Sequence, residues 1–191
     1  MAAPALPFYG HRQVQAPHLA ALASQGIVFD RAYCNSPICA PSRFSMMTGR
    51  LPSRIGVYDN GSEFPSAIPT IAHYLGRAGY STTLCGKMHF VGPDQLHGYE
   101  ERLITEIYPA DFIWTPDWRL GPQSRPSGLS MRPVLEAGIC KRSLQIDYDE
   151  QVAFLAEQKL FDIARYDTDR PFFLTVSFTH PHSPYTVQQQ F

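Results

Sequence analysis

Residues 170–178, RPFFLTVSF, form a continuous apolar run that ends directly in the polar segment THPHSPY. The run is too short to span a membrane as a helix, which takes about 20 apolar residues. It is rich in the aromatic and β-branched side chains that favour strands. A strand without alternating polar residues is typical of a parallel sheet that helices cover on both faces. The run therefore predicts a fully buried strand of an α/β fold.

Helical and strand-like segments alternate along the chain, which supports this fold class. Residues 16–26 (APHLAALASQG) and 147–166 (DYDEQVAFLAEQKLFDIARY) have helical spacing of apolar side chains. Residues 27–34 (IVFDRAYC) and 80–90 (YSTTLCGKMHF) are β-prone. This alternation predicts an α/β structure with a largely parallel sheet sandwiched by helices.

Three polar clusters follow the predicted strands: Cys39–Arg43, Lys87–His89 and His180–His182. In parallel α/β sheets, functional loops gather beyond the carboxyl ends of the strands. We therefore expect the three clusters to meet there and to form an active site.

Bulk composition narrows the class of partner. The 191 residues carry a formal net charge of -1, which gives no general attraction to nucleic acid or to an anionic membrane, so a small-molecule substrate is expected. The chain has no apolar run of about 18 residues, so we expect no transmembrane helix. Its start, MAAPALPFYGHRQ, has neither a basic n-region nor an apolar h-region, so we expect no secretory signal there. Four cysteines in a chain of this length do not indicate a disulfide framework. None of them forms a CxxC pair, which argues against a zinc knuckle. We expect a cytoplasmic protein.

Cys39 is the candidate centre of the site. A cysteine taken alone most often packs as a small hydrophobe, but Arg43 offers a cation close to this thiol. Lys87 and His89 stand two residues apart and would share one side of a strand. Together these residues suggest an anion pocket with a histidine able to protonate a leaving oxygen. The alternative is a solvated lysine beside a half-buried histidine.

Two further candidates have an ordinary structural alternative. His180 and His182 have the HxH spacing of a zinc site, but no third ligand follows at motif spacing. Trp114 either covers the edge of the core or holds a quaternary ammonium ion against its ring. Asp111 and Asp117 would add negative charge near such a cation.

Residues 119–142, RLGPQSRPSGLSMRPVLEAGICKR, differ from the rest of the chain. They contain five basic residues, one acidic residue and three prolines, without sustained periodicity. This composition predicts an irregular loop or insertion.

Three segments together resemble the type I sulfatases, which depend on formylglycine. CAPSRFSMMTGR (39–50) is similar to their Cys-x-Pro-Ser-Arg signature with its Thr-Gly-Arg end. GYSTTLCGKMH (79–89) resembles the second signature, and SFTHPHSPY (177–185) resembles the later Pro-His-x-Pro landmark. The segments SPICAPSR, VGPDQLHGYE and YPADFIWTPDW are similar to the choline-sulfatase subgroup. The resemblance covers residues 2–118 and 147–191, and implies an alkaline-phosphatase-like sulfatase core.

The resemblance also implies a chemistry for the Cys39 cluster. A formylglycine-generating enzyme would oxidise Cys39 to formylglycine, whose hydrate attacks the sulfur of a sulfate ester and displaces the alcohol. Arg43 would steady the hydrate, Lys87 would contact sulfate, and His89 would assist sulfate release. His182 would face the ester oxygen, so that Lys87 or His182 is the acid for the leaving alcohol.

The subgroup implies choline sulfate as the substrate, hydrolysed to choline and sulfate, with Trp114 against the choline cation. It also implies a calcium ion that polarises the sulfate, with the formylglycine oxygen of Cys39 among its ligands.

The sequence departs from the family where other calcium ligands are expected. By resemblance, the acidic pair of the family's first strand is expected before residue 1 and the later Asp-His or Asp-Asn pair after residue 191, and residues 119–142 differ from the subgroup. We therefore expect residues 1–191 to be part of an N-terminal catalytic domain with little or no turnover of its own. The alternatives are a non-catalytic remnant that binds an anion, and a phosphomonoester or phosphonate hydrolase of the same superfamily.

Overall fold

The computed structural model describes residues 3–124, 131–166 and 169–190, apart from the side chains of residues 118, 122 and 123. The chain divides into two compact units, Met1–Cys34 and Asn35–Phe191.

The first unit contains one α-helix. Helix α1 spans Pro17–Gln25 after two 3-10 turns at Ala3–Ala5 and Pro7–Tyr9. The helix predicted for this region is confirmed, with Pro17 at its first position, where the missing N–H costs nothing. The strand predicted for residues 27–34 is wrong, because these residues are all exposed and no strand pairs with them in the part of the chain that the structure describes.

The second unit contains the sheets and the remaining described helices. The helices are α2 (Cys39–Thr48), α3 (Pro52–Ile55), α4 (Ile71–Arg77), α5 (Arg132–Leu135) and α6 (Leu144–Tyr166). The strands are β1 (Ser81–Gly86), β2 (Glu101–Arg102), β3 (Gly138–Ile139), β4 (Phe172–Ser177) and β5 (Thr186–Val187).

The main sheet is parallel, as predicted. Its strands lie in the order β2-β1-β4, and β1 pairs with β4 from Ser81 opposite Phe172 to Gly86 opposite Ser177. Leu84 packs into a core cluster with residues of α2 and α4, whereas its neighbour Cys85 packs against α6. Successive residues of a strand point to opposite faces, so helices cover both faces of the sheet.

The two central strand predictions have different outcomes. Strand β1 is buried along its whole length. Strand β4 forms where RPFFLTVSF predicted a strand, but it is not fully buried, since Phe172 and Val176 are 45% and 38% exposed. The reason is position, because β4 ends the strand order of this sheet among the described residues.

The segment 119–142 contains short elements where residues are described. A 3-10 stretch ends at Gln123, α5 has four residues, and β3 pairs in parallel with β5 through Gly138 and Ile139. Residues 125–130 lie outside the described part of the chain, so an irregular insertion stays a prediction. Over the described ranges, no helix is both long and apolar enough to cross a bilayer.

Candidate active site

Cys39 is the first residue of helix α2 and does not follow a strand. The preceding residue, Ile38, has extended backbone angles and is the N-cap. The N–H of Ala40, which has no partner within the helix, donates to Asn60 Oδ1 at 2.9 Å. The helix therefore presents the Cys39 side chain at its positive end, where a negative charge is stabilised.

Arg43 lies one helical turn further on and ties α2 to the carboxyl edge of the sheet. Its Nη1 donates to the carbonyl oxygen of Lys87 at 2.9 Å, at the end of β1. The same nitrogen donates to Ser177 Oγ at 2.9 Å, at the end of β4. Burial lowers the pKa of Arg43, which the negative charge of Cys39 partly offsets. Arg43 thus fixes the thiol relative to both strands.

Lys87 places a buried ammonium group beside the thiol. Only 1% of the residue is exposed, and Nζ lies 3.8 Å from Cys39 Sγ and 4.5 Å from the centroid of the Tyr108 ring. Burial lowers the pKa of Lys87, and the charge of Cys39 opposes this effect. An ammonium has three donors, and the sulfur contact uses one of them. The group is therefore suited to receive a further acceptor oxygen from an anion.

His89 is buried beside Lys87 and has free hydrogen-bonding capacity. It is 2% exposed, and within the described residues neither ring nitrogen makes a hydrogen bond of good geometry. Its ring lies 5.4 Å from the Tyr108 ring and 5.5 Å from the Trp114 ring, between centroids. Because an unpaired buried polar group is costly, the two nitrogens point to a ligand that would pair with them.

His182 brings the third polar cluster to the same place. Its Nδ1 donates to the carbonyl oxygen of Ser183 at 2.8 Å, which leaves Nε2 as the nitrogen whose protonation can change. A hydrogen bond with Cys39 raises the pKa of His182 against the opposing effect of burial.

The Cys39 thiol is strongly acidified by these neighbours. The imidazoles of His182 and then of His89, which lie close to the thiol, lower its pKa from 9.0 to about 5, against burial, and the positive charge of Lys87 adds to the effect. In the unmodified chain, Cys39 is therefore a thiolate at neutral pH. The site as a whole is built to stabilise negative charge at position 39.

Trp114 lies beside the polar cluster and forms an aromatic wall with Tyr108. Its ring centroid is 5.6 Å from that of Tyr108, and the residue is half-buried. Thr115 Oγ1 donates to the carbonyl oxygen of Gly61 at 2.8 Å. Gly61 itself passes so close to the Trp114 backbone that a Cβ there would meet it. The loop that caps α2 through Asn60 thus also seats Trp114.

His180 lies apart from this cluster. Its Nδ1 is 2.7 Å from Asp149 Oδ2, and its Nε2 faces the carbonyl oxygen of Thr186 at 3.3 Å. His180 and His182 therefore have different partners, and the arrangement does not support the HxH zinc alternative. Asp149 also accepts the backbone N–H groups of Thr179 and His180, which fixes the start of the loop.

The side chains around Cys39 do not by themselves fit a calcium ion. Calcium takes six to eight oxygen ligands, whereas this cluster offers sulfur, ring nitrogens and cations. Within residues 3–124, 131–166 and 169–190, no three His, Cys, Asp or Glu side chains are grouped so that they could hold a metal. No step is assigned to a metal here, and calcium ligation at position 39 stays a prediction.

Sequence reasoning identified Cys39, Arg43, Lys87, His89, His182 and Trp114, which the structure brings together. It missed Asn60, Gly61, Tyr108 and Glu106, which cap, seat or line the site. The turn pattern YDNGS was a signal for the first two, because Asn and Gly favour tight turns. Tyr108 and Glu106 carry no local signal, since their roles depend on contacts between distant segments.

Comparisons with known proteins agree with this geometry. The chain matches the family described as Sulfatase over residues 1–191. It is 55% identical over 183 residues to choline-sulfatase of Rhizobium meliloti, covering 93% of this chain and 36% of that protein. It is 28% identical over 196 residues to human iduronate 2-sulfatase, covering 98% of this chain and 34% of that one. The chain thus spans about a third of the length of these curated relatives.

Solved structures support the fold. A protein solved with its substrate D-glucosamine-2-N,6-O-disulfate matches with a TM-score of 0.63 at 21% identity, over 94% of this chain and 32% of the other. The phosphonate monoester hydrolase of Agrobacterium radiobacter matches with a TM-score of 0.65 at 24% identity, over 98% and 40%. At these identities the likeness establishes the shared alkaline-phosphatase-like architecture.

Proposed function

Because the chain belongs to the sulfatase family, we propose that its Cys39 site hydrolyses a sulfate ester, with choline sulfate as the substrate. The observation that carries the proposal is the set of unused donors around Cys39. The buried ammonium of Lys87 and the ring nitrogens of His89, which make no hydrogen bond of good geometry within the described ranges, lie beside the same thiol. Donors fixed in a buried site are suited to a tetrahedral anion, because they need no reorganisation when it binds.

We propose that a formylglycine-generating enzyme converts Cys39 to formylglycine. The environment fits this group, since hydroxyls at position 39 would find donors and acceptors in Lys87, His89 and His182. A hydrated formylglycine would supply a nucleophilic oxygen where a thiol supplies sulfur. The calcium ion that the family implies stays a prediction.

The chain's own residues then divide the remaining work. Lys87 binds a sulfate oxygen and opposes its charge. Arg43 holds α2 against β1 and β4, so that position 39 stays in place. His182, whose Nδ1 is held by the carbonyl oxygen of Ser183, would donate a proton from Nε2 to the leaving alcohol. His89, two residues after Lys87, is a second group able to move a proton.

The aromatic wall supports the choline assignment. Trp114 and Tyr108 lie next to the anion site, 5.6 Å apart between ring centroids. An aromatic face attracts a quaternary ammonium by about 0.5–2 kcal/mol. Choline sulfate has such a cation two carbons away from its sulfate, so one molecule would reach both features. The name of the Rhizobium relative points the same way.

The test compares two esters of one alcohol, choline sulfate and phosphocholine, with the protein co-expressed with a formylglycine-generating enzyme. We expect sulfate release above the level of a Cys39→Ala control, and slower phosphate release. Faster release of phosphate would favour the phosphoester alternative. We expect the rate of this chain alone to be low compared with the about 1–10³ per second of typical enzymes. This expectation stays a prediction. The cytoplasmic location also stays a prediction. So does the expectation that the protein binds neither nucleic acid nor a membrane.

A further inference from the structure

The backbone at His89 is in a conformation that its surroundings must maintain. Its φ is +62°, in the left-handed region, which residues other than glycine rarely adopt. Such residues persist only where neighbouring structure holds them. His89 is also one of the two histidines that acidify Cys39. The contacts that hold its backbone therefore decide how its ring meets the site.

Glu106 makes those contacts through a single carboxylate oxygen. Its Oε1 accepts the N–H of Met88 at 3.0 Å and the N–H of Phe90 at 3.2 Å. The backbone N–H groups of the residues before and after His89 are thus tied to one atom. Arg102 Nη2 donates to the same Oε1 at 2.6 Å. The side chains of Glu106 and Arg102 are only 2% and 7% exposed.

Arg102 is itself fixed, which makes the carboxylate a rigid support. Its Nε donates to the carbonyl oxygen of Ile104 at 2.9 Å, and its Nη1 donates to Gln95 Oε1 at 2.7 Å. Arg102 belongs to strand β2, which pairs with β1. Glu106 is therefore linked through Arg102 to strand β1, which ends at the residue before Lys87.

From this geometry we propose that Glu106 is a positioning residue for the Cys39 site, and that it acts by holding His89 in its left-handed conformation. It does not contact the reacting atoms. The expected effect of Glu106 on hydrolysis rests on the proposed function. Its effect on the backbone conformation of His89 does not.

The hydrogen bonds show what the position requires. All three donors converge on Oε1, and Oε2 has no partner among the described residues. A glutamine can place its amide oxygen at Oε1 and its NH₂ group at Oε2. Glu106→Gln therefore keeps the acceptor and removes the charge. Glu106→Ala removes both.

The test measures amide hydrogen exchange at Met88 and Phe90 in the full chain, relative to the amides of β1. We expect exchange at these two amides to accelerate at least about tenfold in Glu106→Ala and to stay within about threefold of the parent in Glu106→Gln. The control is Glu100→Ala, which removes an exposed ion pair with Arg170 and should leave both amides unchanged. If Glu106→Ala does not fold, Glu106→Asp replaces it, because its carboxylate is one methylene too short to reach both amides.

Hydrolysis of choline sulfate gives the second readout. We expect Glu106→Ala to lower kcat about tenfold or more with KM within about twofold, and Glu106→Gln to restore most of kcat. Unchanged exchange at Met88 and Phe90 in Glu106→Ala, or equal acceleration in both variants, would overturn the proposal. If the parent releases no sulfate even with Cys39 fully converted to formylglycine, hydrolysis by these residues alone is excluded, and the exchange rates still decide the role of Glu106.

Discussion

At the scale of single residues, the site concentrates groups that favour negative charge at position 39. Cys39 lies at the N-terminus of α2, with the Lys87 ammonium 3.8 Å away and two imidazoles in hydrogen-bonding reach. Each of these groups is ordinary by itself. Their combined effect on the thiol is large because they act together in a partly buried place, where charges are poorly screened.

The first prediction concerns the pH dependence of the unmodified thiol. Because its pKa is lowered to about 5, the thiolate fraction at Cys39 is complete at neutral pH. The rate of alkylation by iodoacetamide, followed by mass spectrometry of the Cys39 peptide, should therefore level off above about pH 6. In His182→Gln the midpoint should move up towards 9.0, since the His182 hydrogen bond is the largest cause. A parent rate that keeps rising up to about pH 9 would contradict this account of the site.

At the scale of elements, sequence periodicity predicted what depends on local pattern. Strand β1, strand β4 and the long helix α6 lie where runs and apolar spacing placed them. The strand predicted at 27–34 is wrong, because β-propensity forms no strand without a partner to pair with. Cys39 is instead the first residue of helix α2. The pattern of strand ends predicted that Cys39 meets Lys87 and His182, although no strand precedes it. The exposure of β4 was also missed, since strand order is a property of the sheet.

The second prediction concerns the loop that seats Trp114. A Cβ at Gly61 would lie 2.7 Å from the Trp114 carbonyl carbon, so Gly61→Ala must push the Trp114 segment away. We expect this variant and Trp114→Ala to raise KM for choline sulfate and to affect an uncharged aryl sulfate less. Alkylation of Cys39 should be unchanged.

Gly76→Ala is the matched control for Gly61→Ala. Gly76 lies in helix α4 with nothing within 4 Å of an added Cβ. Alanine there should stabilise the helix by about 0.5–1 kcal/mol and leave KM unaltered. Equal effects of Gly61→Ala on both sulfate esters would show that the loop does not set the place of the cation.

At the scale of the whole molecule, two helix layers enclose a parallel sheet whose carboxyl edge carries the site. The contents of the site could be predicted from the sequence, because three signatures name Cys39, Lys87 and His182 by residue type. Their support could not be predicted. Asn60 and Glu106 accept hydrogen bonds from backbone N–H groups 20 and 16–18 residues away, and backbone donors leave no pattern in side-chain identity.

The third prediction concerns the stability of the second unit in acid. His97 is 1% exposed, between the rings of Phe64 and Phe90 at 4.3 and 4.5 Å. Burial lowers its pKa, although the Asp94 carboxylate opposes the effect. The folded state therefore holds His97 neutral, and the unfolded state binds the proton more readily. Its contribution to the free energy of unfolding is full above 6.5 and is lost as pH falls through the lower pKa of the folded state.

Urea unfolding at about pH 7.5 and about pH 5 checks this prediction. His97→Asn removes the titrating ring and tolerates the positive φ of 41° at this position. We expect the variant to be less stable than the parent at the higher pH and to lose less stability on acidification. An equal loss of unfolding free energy in both proteins would show that His97 does not cause the loss of stability in acid.

The measurement that tests the central claim most directly is the fraction of formylglycine at position 39, determined by mass spectrometry of the Cys39 peptide, together with sulfate release from choline sulfate by the same preparation. Preparations made with and without a co-expressed formylglycine-generating enzyme supply a range of fractions. The account predicts that sulfate release rises in proportion to the modified fraction and is absent from Cys39→Ala. The rate of this chain alone is expected to be low, so release is compared with the Cys39→Ala level over a long incubation. Release above that level that is equal for a fully unmodified and a fully modified chain would contradict the account.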